Sequence, residues 1–83
     1  MINIALFGLG RIGQMHADNL IANPNFNLKY IFDIDIKLSK RLSKKYNCDA
    51  IESPSLAFKD KDIKCVFIAS STATHLKFIE EGV

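Results

Sequence analysis

Three glycines near the start of the chain form the most distinctive group of chemically meaningful residues. Gly8, Gly10 and Gly13 have the spacing Gly-x-Gly-x-x-Gly, directly after the apolar run 4–7 and directly before a segment with helical periodicity. In this context Gly8 allows a tight turn, Gly10 allows a pyrophosphate to approach the backbone, and Gly13 allows the helix to lie close to the strand. The free N–H groups and the positive dipole end of that helix attract phosphate without a lysine. The segment therefore predicts a dinucleotide-binding loop.

A carboxylate follows the glycine motif at a sequence separation that is typical of dinucleotide-binding domains. Asp33 ends a second predicted strand, residues 27–32, and lies 20 residues after Gly13. An acid at this separation accepts hydrogen bonds from the adenine ribose hydroxyls, and it repels a 2′-phosphate. The alternative is a solvated aspartate in a turn after a buried strand. Because strand, glycines, helix and acid occur in the right order, we favour the dinucleotide interpretation, with NAD rather than NADP as the cofactor.

Hydroxyl and imidazole groups follow a later apolar run, residues 64–69. They are Ser70, Ser71, Thr72, Thr74 and His75. Either Thr72 or Thr74 is predicted to cap a helix that follows. For His75, a polar contact near a cofactor or a structural hydrogen bond is favoured over proton transfer. His16, on the first predicted helix, is expected to pack or hydrogen-bond rather than bind a metal, because no second ligand lies near it in sequence.

The elements that position these groups alternate between strand and helix. Strands are predicted at about 2–7, 28–32, 49–51 and 64–69, and helices at about 11–22, 37–46, 54–58 and from Leu76 onward. Such alternation predicts an α/β fold with a parallel sheet, right-handed crossovers and helices on both faces. In the dinucleotide-binding layout the strand order is 3-2-1-4, with a crevice between strands 1 and 4. The glycine loop and the Ser/Thr/His loop then flank the same crevice.

Side-chain patterns also predict the buried helix faces and the caps. In the first helix, four residues are expected to face the sheet: Ile12, Met15, Ala17 and Leu20. In the second, the buried stripe is Leu38, Leu42 and Tyr46. Asp35 is a predicted N-cap, and Ser53 followed by Pro54 predicts the start of the short third helix.

Composition narrows the class of protein. The 83 residues are 48% hydrophobic and 24% charged, with a net charge of +2. This is typical of one small globular domain or part of one, and too weakly basic to indicate a nucleic-acid partner. The second helix carries a basic face, which we interpret as solvated because no aromatic residues interleave with it: Lys37, Lys40, Arg41, Lys44 and Lys45.

The two cysteines and the lengths of the apolar runs indicate the cellular compartment of the protein. Cys48 and Cys65 fit no zinc spacing and are predicted to be reduced, partly buried thiols. No apolar stretch approaches the length of about 20 residues that spans a bilayer, and no signal peptide is visible. We therefore predict a cytoplasmic protein without a metal site, a membrane partner or a nucleic-acid partner.

Three segments together resemble the Gfo/Idh/MocA oxidoreductase family, and most closely its inositol dehydrogenase branch. They read GLGRIGQMHADNL at 8–20, FDID at 32–35 and IASSTATH at 68–75. The third segment matches a family loop usually written Ala-Thr-Pro-x-x-x-His. It carries Ser70 and Ser71 where Thr-Pro is common, which still fits the inositol branch. The resemblance covers essentially the whole chain and implies a partial Rossmann fold that ends before its fifth strand.

The resemblance also implies roles for individual residues. Arg11 and Ile12 would contact the pyrophosphate through their backbone, and Asp33 would bind the adenosine ribose. Residues 70–72 would line the path to the nicotinamide ribose, with His75 behind them. The reaction implied is hydride transfer from a secondary alcohol of a polyol or sugar, such as myo-inositol, to NAD.

Family members carry their catalytic groups later in the chain. A Glu-Lys-Pro motif and a second α/β domain supply them, and neither is in these 83 residues. We therefore expect residues 1–83 to be the N-terminal part of the dinucleotide-binding domain, inactive alone, of an enzyme that forms a homo-oligomer. The alternatives are a nucleotide-sensing module without catalysis, a fragment that pairs through the edge of strand 4, and another enzyme class of the family.

Overall fold

A computed structural model describes residues 1–69 and the backbone of residues 74–78. The strands in this part of the chain are β1 (Ile2–Phe7), β2 (Phe26–Phe32), β3 (Asp49–Ala50), β4 (Ile63–Ala69) and β5 (Thr74–Phe78). The helices are α1 (Arg11–Ala22), α2 (Ile36–Tyr46) and α3 (Pro54–Lys59). They form one sheet in the order β3-β2-β1-β4-β5.

The first four strands are parallel. β1 pairs with β2 on one side and with β4 on the other, with Phe7 opposite Phe32 and Ile68. β3 adds to the outer edge of β2. This confirms the predicted order 3-2-1-4. The direction of winding reverses at β1, so the loops after β1 and β4 leave the sheet side by side.

The predicted final helix is wrong. Residues 74–78 instead form β5, which pairs antiparallel with β4 and places His75 opposite Ile68. Thr74 therefore lies in a strand and caps no helix, and the sheet continues past β4. The physical reason is the open edge of β4, where a further strand satisfies the free backbone groups. The apolar residues Leu76 and Phe78 also recur with the period of two that a strand requires.

Helices cover both faces of the sheet, as predicted. On one face, Ile4 and Leu6 of β1 form a buried cluster with residues of α1 and α2. On the other face, Ala5 and Phe7 pack with Ala57 of α3. β1 is therefore buried on both sides, which explains why its sequence lacks strict alternation.

The face that α1 presents to the sheet differs from the prediction at two positions. Gly13, Ala17 and Leu20 are buried, whereas Ile12 is 37% and Met15 53% exposed. Residues 13, 17 and 20 form a stripe at i, i+4 and i+7. Ile12 and Met15 lie outside this stripe, which is narrow because glycine and alanine bring the helix close to the strands.

The other helices begin and pack as predicted. The Asp35 side chain accepts a hydrogen bond from the Leu38 N–H, and the Ser53 side chain accepts one from the Ser55 N–H. Of the predicted stripe, Leu42 and Tyr46 are buried, and Leu38 is half-buried against the same cluster. The five basic residues of α2 are exposed: Lys37, Lys40, Arg41, Lys44 and Lys45.

Both cysteines are free thiols inside the fold. Cys65 is buried in β4 and Cys48 is half-buried. Burial raises the pKa of Cys48 to about 11, with a smaller effect from Asp49. No helix in residues 1–69 has the length and apolarity required to cross a bilayer.

Candidate functional site

A cleft of about 340 Å³ opens where β1 and β4 end and α1 begins. Its lining residues are Gly8, Gly10, Arg11, Ile12, Gly13, Asp33 and Ala69. Six of these are predicted site residues, and Ala69 is an addition. Ser70, Ser71 and Thr72 lie outside the described residues. His75 lies in β5, where the backbone alone is described. The structure thus brings the glycine loop and Asp33 together at the point where the strand order reverses.

Two of the three glycines are required by the protein itself. Gly8 has a φ of +95°, and a Cβ there would lie 2.1 Å from the Ala69 carbonyl oxygen. A Cβ on Gly13 would lie 1.9 Å from the Gly8 carbonyl oxygen. Real Cβ atoms do not approach backbone oxygens so closely, so a side chain at either position would displace the loop.

Gly10 is different. Its φ is −68°, which any residue adopts. No atom of the described residues lies within 4 Å of the position that its Cβ would occupy. The residue is exposed and lines the cleft. Nothing in the described part of the chain requires a glycine here, and the position of its Cβ is open space.

The start of α1 is the phosphate-attracting feature of the cleft. Gly10 is its N-cap and supplies no side-chain hydrogen bond, whereas the caps of α2 and α3 do. The first intrahelical bond runs from the Gln14 N–H to the Gly10 carbonyl, 2.9 Å. The preceding N–H groups have no intrahelical acceptor and carry the positive end of the dipole. An anion at this end of α1 would be stabilised.

Asp33 is held firmly at the mouth of the cleft. One carboxylate oxygen, Oδ2, accepts a hydrogen bond from the Leu9 N–H at 2.7 Å. The other, Oδ1, accepts one from the Asp35 N–H at 2.8 Å. The side chain of the buried Ser39 donates to the backbone carbonyls of Asp33 and Asp35. Each carboxylate oxygen has a further lone pair, which leaves Asp33 able to accept hydroxyl groups from a ligand.

Two residues that sequence reasoning did not single out complete the loop. Leu9 has a fully buried side chain, and its carbonyl accepts a hydrogen bond from the Gln14 Nε2 at 2.9 Å. The apolar character of Leu9 between two glycines was the available signal for its burial. Gln14 gave no signal, because a polar residue on a helix is ordinarily solvated.

His16 packs against the sheet beside the cleft. Its ring lies 4.6 Å from the ring of Phe67 in β4, centroid to centroid. The contact holds α1 against the strand beyond the cleft. Among residues 1–69, no group of three or more His, Cys, Asp or Glu side chains is placed to hold a metal ion.

Comparison with known proteins agrees with the fold and the cleft described above. Residues 2–83 match the sequence pattern of the Gfo/Idh/MocA oxidoreductase family, described as an NAD-binding Rossmann fold. An uncharacterized oxidoreductase of Bacillus subtilis, YrbE, is 34% identical over 78 residues, which are 93% of this chain and 23% of that protein. The myo-inositol 2-dehydrogenase of Thermotoga maritima is 30% identical over 79 residues, which are 94% of this chain and 24% of that protein.

A solved structure shares the fold. The myo-inositol dehydrogenase of Corynebacterium glutamicum superposes with a TM-score of 0.78 and 42% sequence identity, over 87% of this chain and 22% of that one. The chain therefore spans about a quarter of the length of the relatives that it matches.

Proposed function

The chain belongs to the Gfo/Idh/MocA family of oxidoreductases and is an NAD-binding Rossmann domain, and we propose that its cleft holds NAD for a polyol or sugar dehydrogenase of greater length. The observation that carries this proposal is the open space at Gly10. The fold leaves room beside an exposed loop backbone and next to the start of α1. A pyrophosphate fits both the space and the dipole.

Each cleft residue has a role in this proposal. The backbone N–H groups of Arg11, Ile12 and Gly13 donate to the pyrophosphate, and the Gly10 backbone lies against it. Asp33 accepts the hydroxyls of the adenine ribose. We also propose that residues 70–72 line the path to the nicotinamide ribose, with His75 behind them. The helix dipole and the backbone donors supply the charge complement of the pyrophosphate.

The reaction proposed is oxidation of a secondary alcohol. When bound, NAD supplies a nicotinamide ring that accepts a hydride from the carbinol carbon. Relatives named as myo-inositol dehydrogenases favour an inositol or a similar polyol as the substrate. Because the chain spans about a quarter of their length, we propose that turnover, substrate choice and homo-oligomer formation in the cytoplasm belong to the longer protein.

Side-by-side calorimetric titration of the 83-residue chain with NAD and NADP tests the binding proposal. We expect NAD to bind more tightly by at least tenfold, because the Asp33 carboxylate repels a 2′-phosphate. The matched control is Glu52→Gln, which removes an exposed carboxylate outside the cleft and should leave the preference unchanged. Equal binding of both nucleotides, or tighter binding of NADP, would contradict the role of Asp33.

The same protein preparation tests the proposal that turnover requires the longer protein. Incubation with NAD and myo-inositol is expected to give no NADH absorbance at 340 nm above the background without protein. Substantial NADH formation would contradict the proposal that catalysis requires the longer protein. NAD binding by a longer version of the chain without oxidation of any polyol would instead favour a nucleotide-sensing module.

A further inference from the structure

We propose that Gln14 and Asp33 together clamp the Leu9 backbone and so fix the glycine loop in the shape that binds phosphate. The inference rests on the proposed function and concerns how that function is achieved. Gln14 does not line the cleft, so it would act through the loop as a positioning residue. Asp33 would combine this task with its proposed contact to ribose.

The clamp consists of three attachments on one residue. The Leu9 N–H donates to Asp33 Oδ2 at 2.7 Å, and the Leu9 carbonyl accepts from Gln14 Nε2 at 2.9 Å. The Leu9 side chain is 0% exposed. The residue between the first two glycines is thus held by its donor, its acceptor and its side chain. Its neighbours Gly8 and Gly10 have no side chains of their own to restrict them.

Peptide planarity carries this restraint to the ligand. The Leu9 carbonyl and the Gly10 N–H belong to one planar trans peptide and point in opposite directions. A hydrogen bond that fixes the carbonyl toward Gln14 therefore fixes the Gly10 N–H on the opposite side. Without this hydrogen bond, the peptide between Leu9 and Gly10 could rotate in the free protein. The ligand would then have to restrict that rotation, at a cost in binding free energy.

Charge makes the two possible roles of Asp33 separable. An Ala at this position removes both the acceptor of the Leu9 N–H and one negative charge beside the proposed phosphate site. If Asp33 acted through the ribose hydroxyls alone, a nucleotide without those hydroxyls would bind the Ala variant as well as the unaltered chain, or more tightly. If Asp33 also holds the loop, the same nucleotide would bind the variant more weakly. The two roles therefore predict different results for this nucleotide.

The experiment is calorimetric titration with two probes, ADP and 2′,3′-dideoxy-ADP. The proteins are the unaltered chain, Gln14→Met, Asp33→Ala and the control Asn19→Met, which alters an exposed residue of the same helix. We expect Gln14→Met to weaken both probes to a similar extent, by about tenfold, the value of one hydrogen bond. Asp33→Ala should weaken both probes, and ADP more. Asn19→Met should bind both probes as the unaltered chain does.

A spectroscopic measurement separates positioning from general stability. In ¹⁵N-labelled protein without ligand, Gln14→Met is expected to shift the Gly10 amide resonance while strand β4 resonances stay in place. Gln14→Ala serves as a second variant with the same expected losses if the methionine variant does not fold. Unchanged affinity of the folded Gln14 variants, or undiminished binding of dideoxy-ADP to Asp33→Ala, overturns the clamp. Failure of the unaltered chain to bind ADP would instead overturn the proposed function, and the clamp with it.

Discussion

Gly8, Gly10 and Gly13 belong to one motif, but a side chain would have different neighbours at each of the three positions. A side chain at Gly8 or Gly13 would strike a backbone carbonyl of the protein, whereas one at Gly10 would meet none of the described atoms. Gly8 and Gly13 therefore maintain the fold, and Gly10 keeps the cleft open. Under the proposed function, this division would separate residues needed for stability from a residue needed for binding, within six residues of sequence.

Gly10→Ala is expected to fold normally and to bind NAD at least tenfold more weakly, because its methyl group would occupy the space proposed for the pyrophosphate. Thermal unfolding and NAD titration of the same sample check both parts. In the comparison variant Gly13→Ala, the new Cβ would lie 1.9 Å from the Gly8 carbonyl oxygen, so the unfolding midpoint itself should fall. Unchanged NAD affinity in Gly10→Ala would contradict the proposal that the pyrophosphate occupies the space beside Gly10.

For single residues, the sequence predicts that the glycines and Asp33 lie at one cleft, because their spacing reflects backbone conformation and the order of the strands. It predicts Leu9, Gln14 and Ala69 poorly. The contribution of Gln14 depends on which way its amide turns, and that of Ala69 on the exact approach of β4 to β1. Both are set by tertiary packing, which leaves no periodic signal in the sequence.

A small polar cluster joins the end of α3 to β2. Asp60, at the end of α3, accepts hydrogen bonds from the Lys29 ammonium and the Tyr30 hydroxyl of β2, each at 2.6 Å. Its other carboxylate oxygen accepts the Asp62 N–H. Lys29 first, and then Tyr30, lowers the pKa of Asp60 from 3.8 to about 2. The cluster thereby fixes the turn that leads into β4.

Asp60→Asn should lower stability near neutral pH, and the difference from the unaltered chain should shrink on acidification. The folded state lowers the pKa of Asp60, so its contribution is complete above the ordinary pKa of 3.8 and is lost as pH falls toward about 2. Urea unfolding at several pH values between 7 and 2 measures this. Glu52→Gln, at an exposed carboxylate, is the control. A difference that stayed constant across this range would contradict the assignment.

The order and type of the first seven elements follow from the sequence, because strand runs, caps and turns are local signals. The last element does not. Residues 74–78 have apolar positions compatible with either period, and the open edge of β4 decides for a strand. The exposure of Ile12 and Met15 likewise depends on how closely α1 approaches the sheet, which the helical period alone does not specify.

The molecule as a whole is built around β1, the strand that is paired on both sides and covered on both faces. Leu6 in its middle is 0% exposed. A domain of this size has a small core, and its total stability is on the order of 5 kcal/mol. Loss of one central side chain is therefore a large fraction of the whole.

Leu6→Ala is expected to reduce the free energy of unfolding by about 2–5 kcal/mol, through lost burial and the cavity left behind. Urea unfolding followed by circular dichroism measures the loss. The control is Ile21→Ala, at a side chain that is 48% exposed, which should change the free energy by less than about 1 kcal/mol. Equal midpoints for the two variants would mean that β1 is not the centre of the core.

The close approach of Gly8 to the carbonyl of Ala69 has a consequence for the order of events in folding. It joins the end of β1 to the end of β4 across nearly the whole described chain, and contacts of such long sequence separation pay a large loop-closure entropy. We therefore expect the cleft to close late, after the local β1-α1-β2 unit. A nucleotide bound at such a late-formed site would act mainly by slowing unfolding, and it would lengthen the lifetime of the folded chain more than it would hasten its formation.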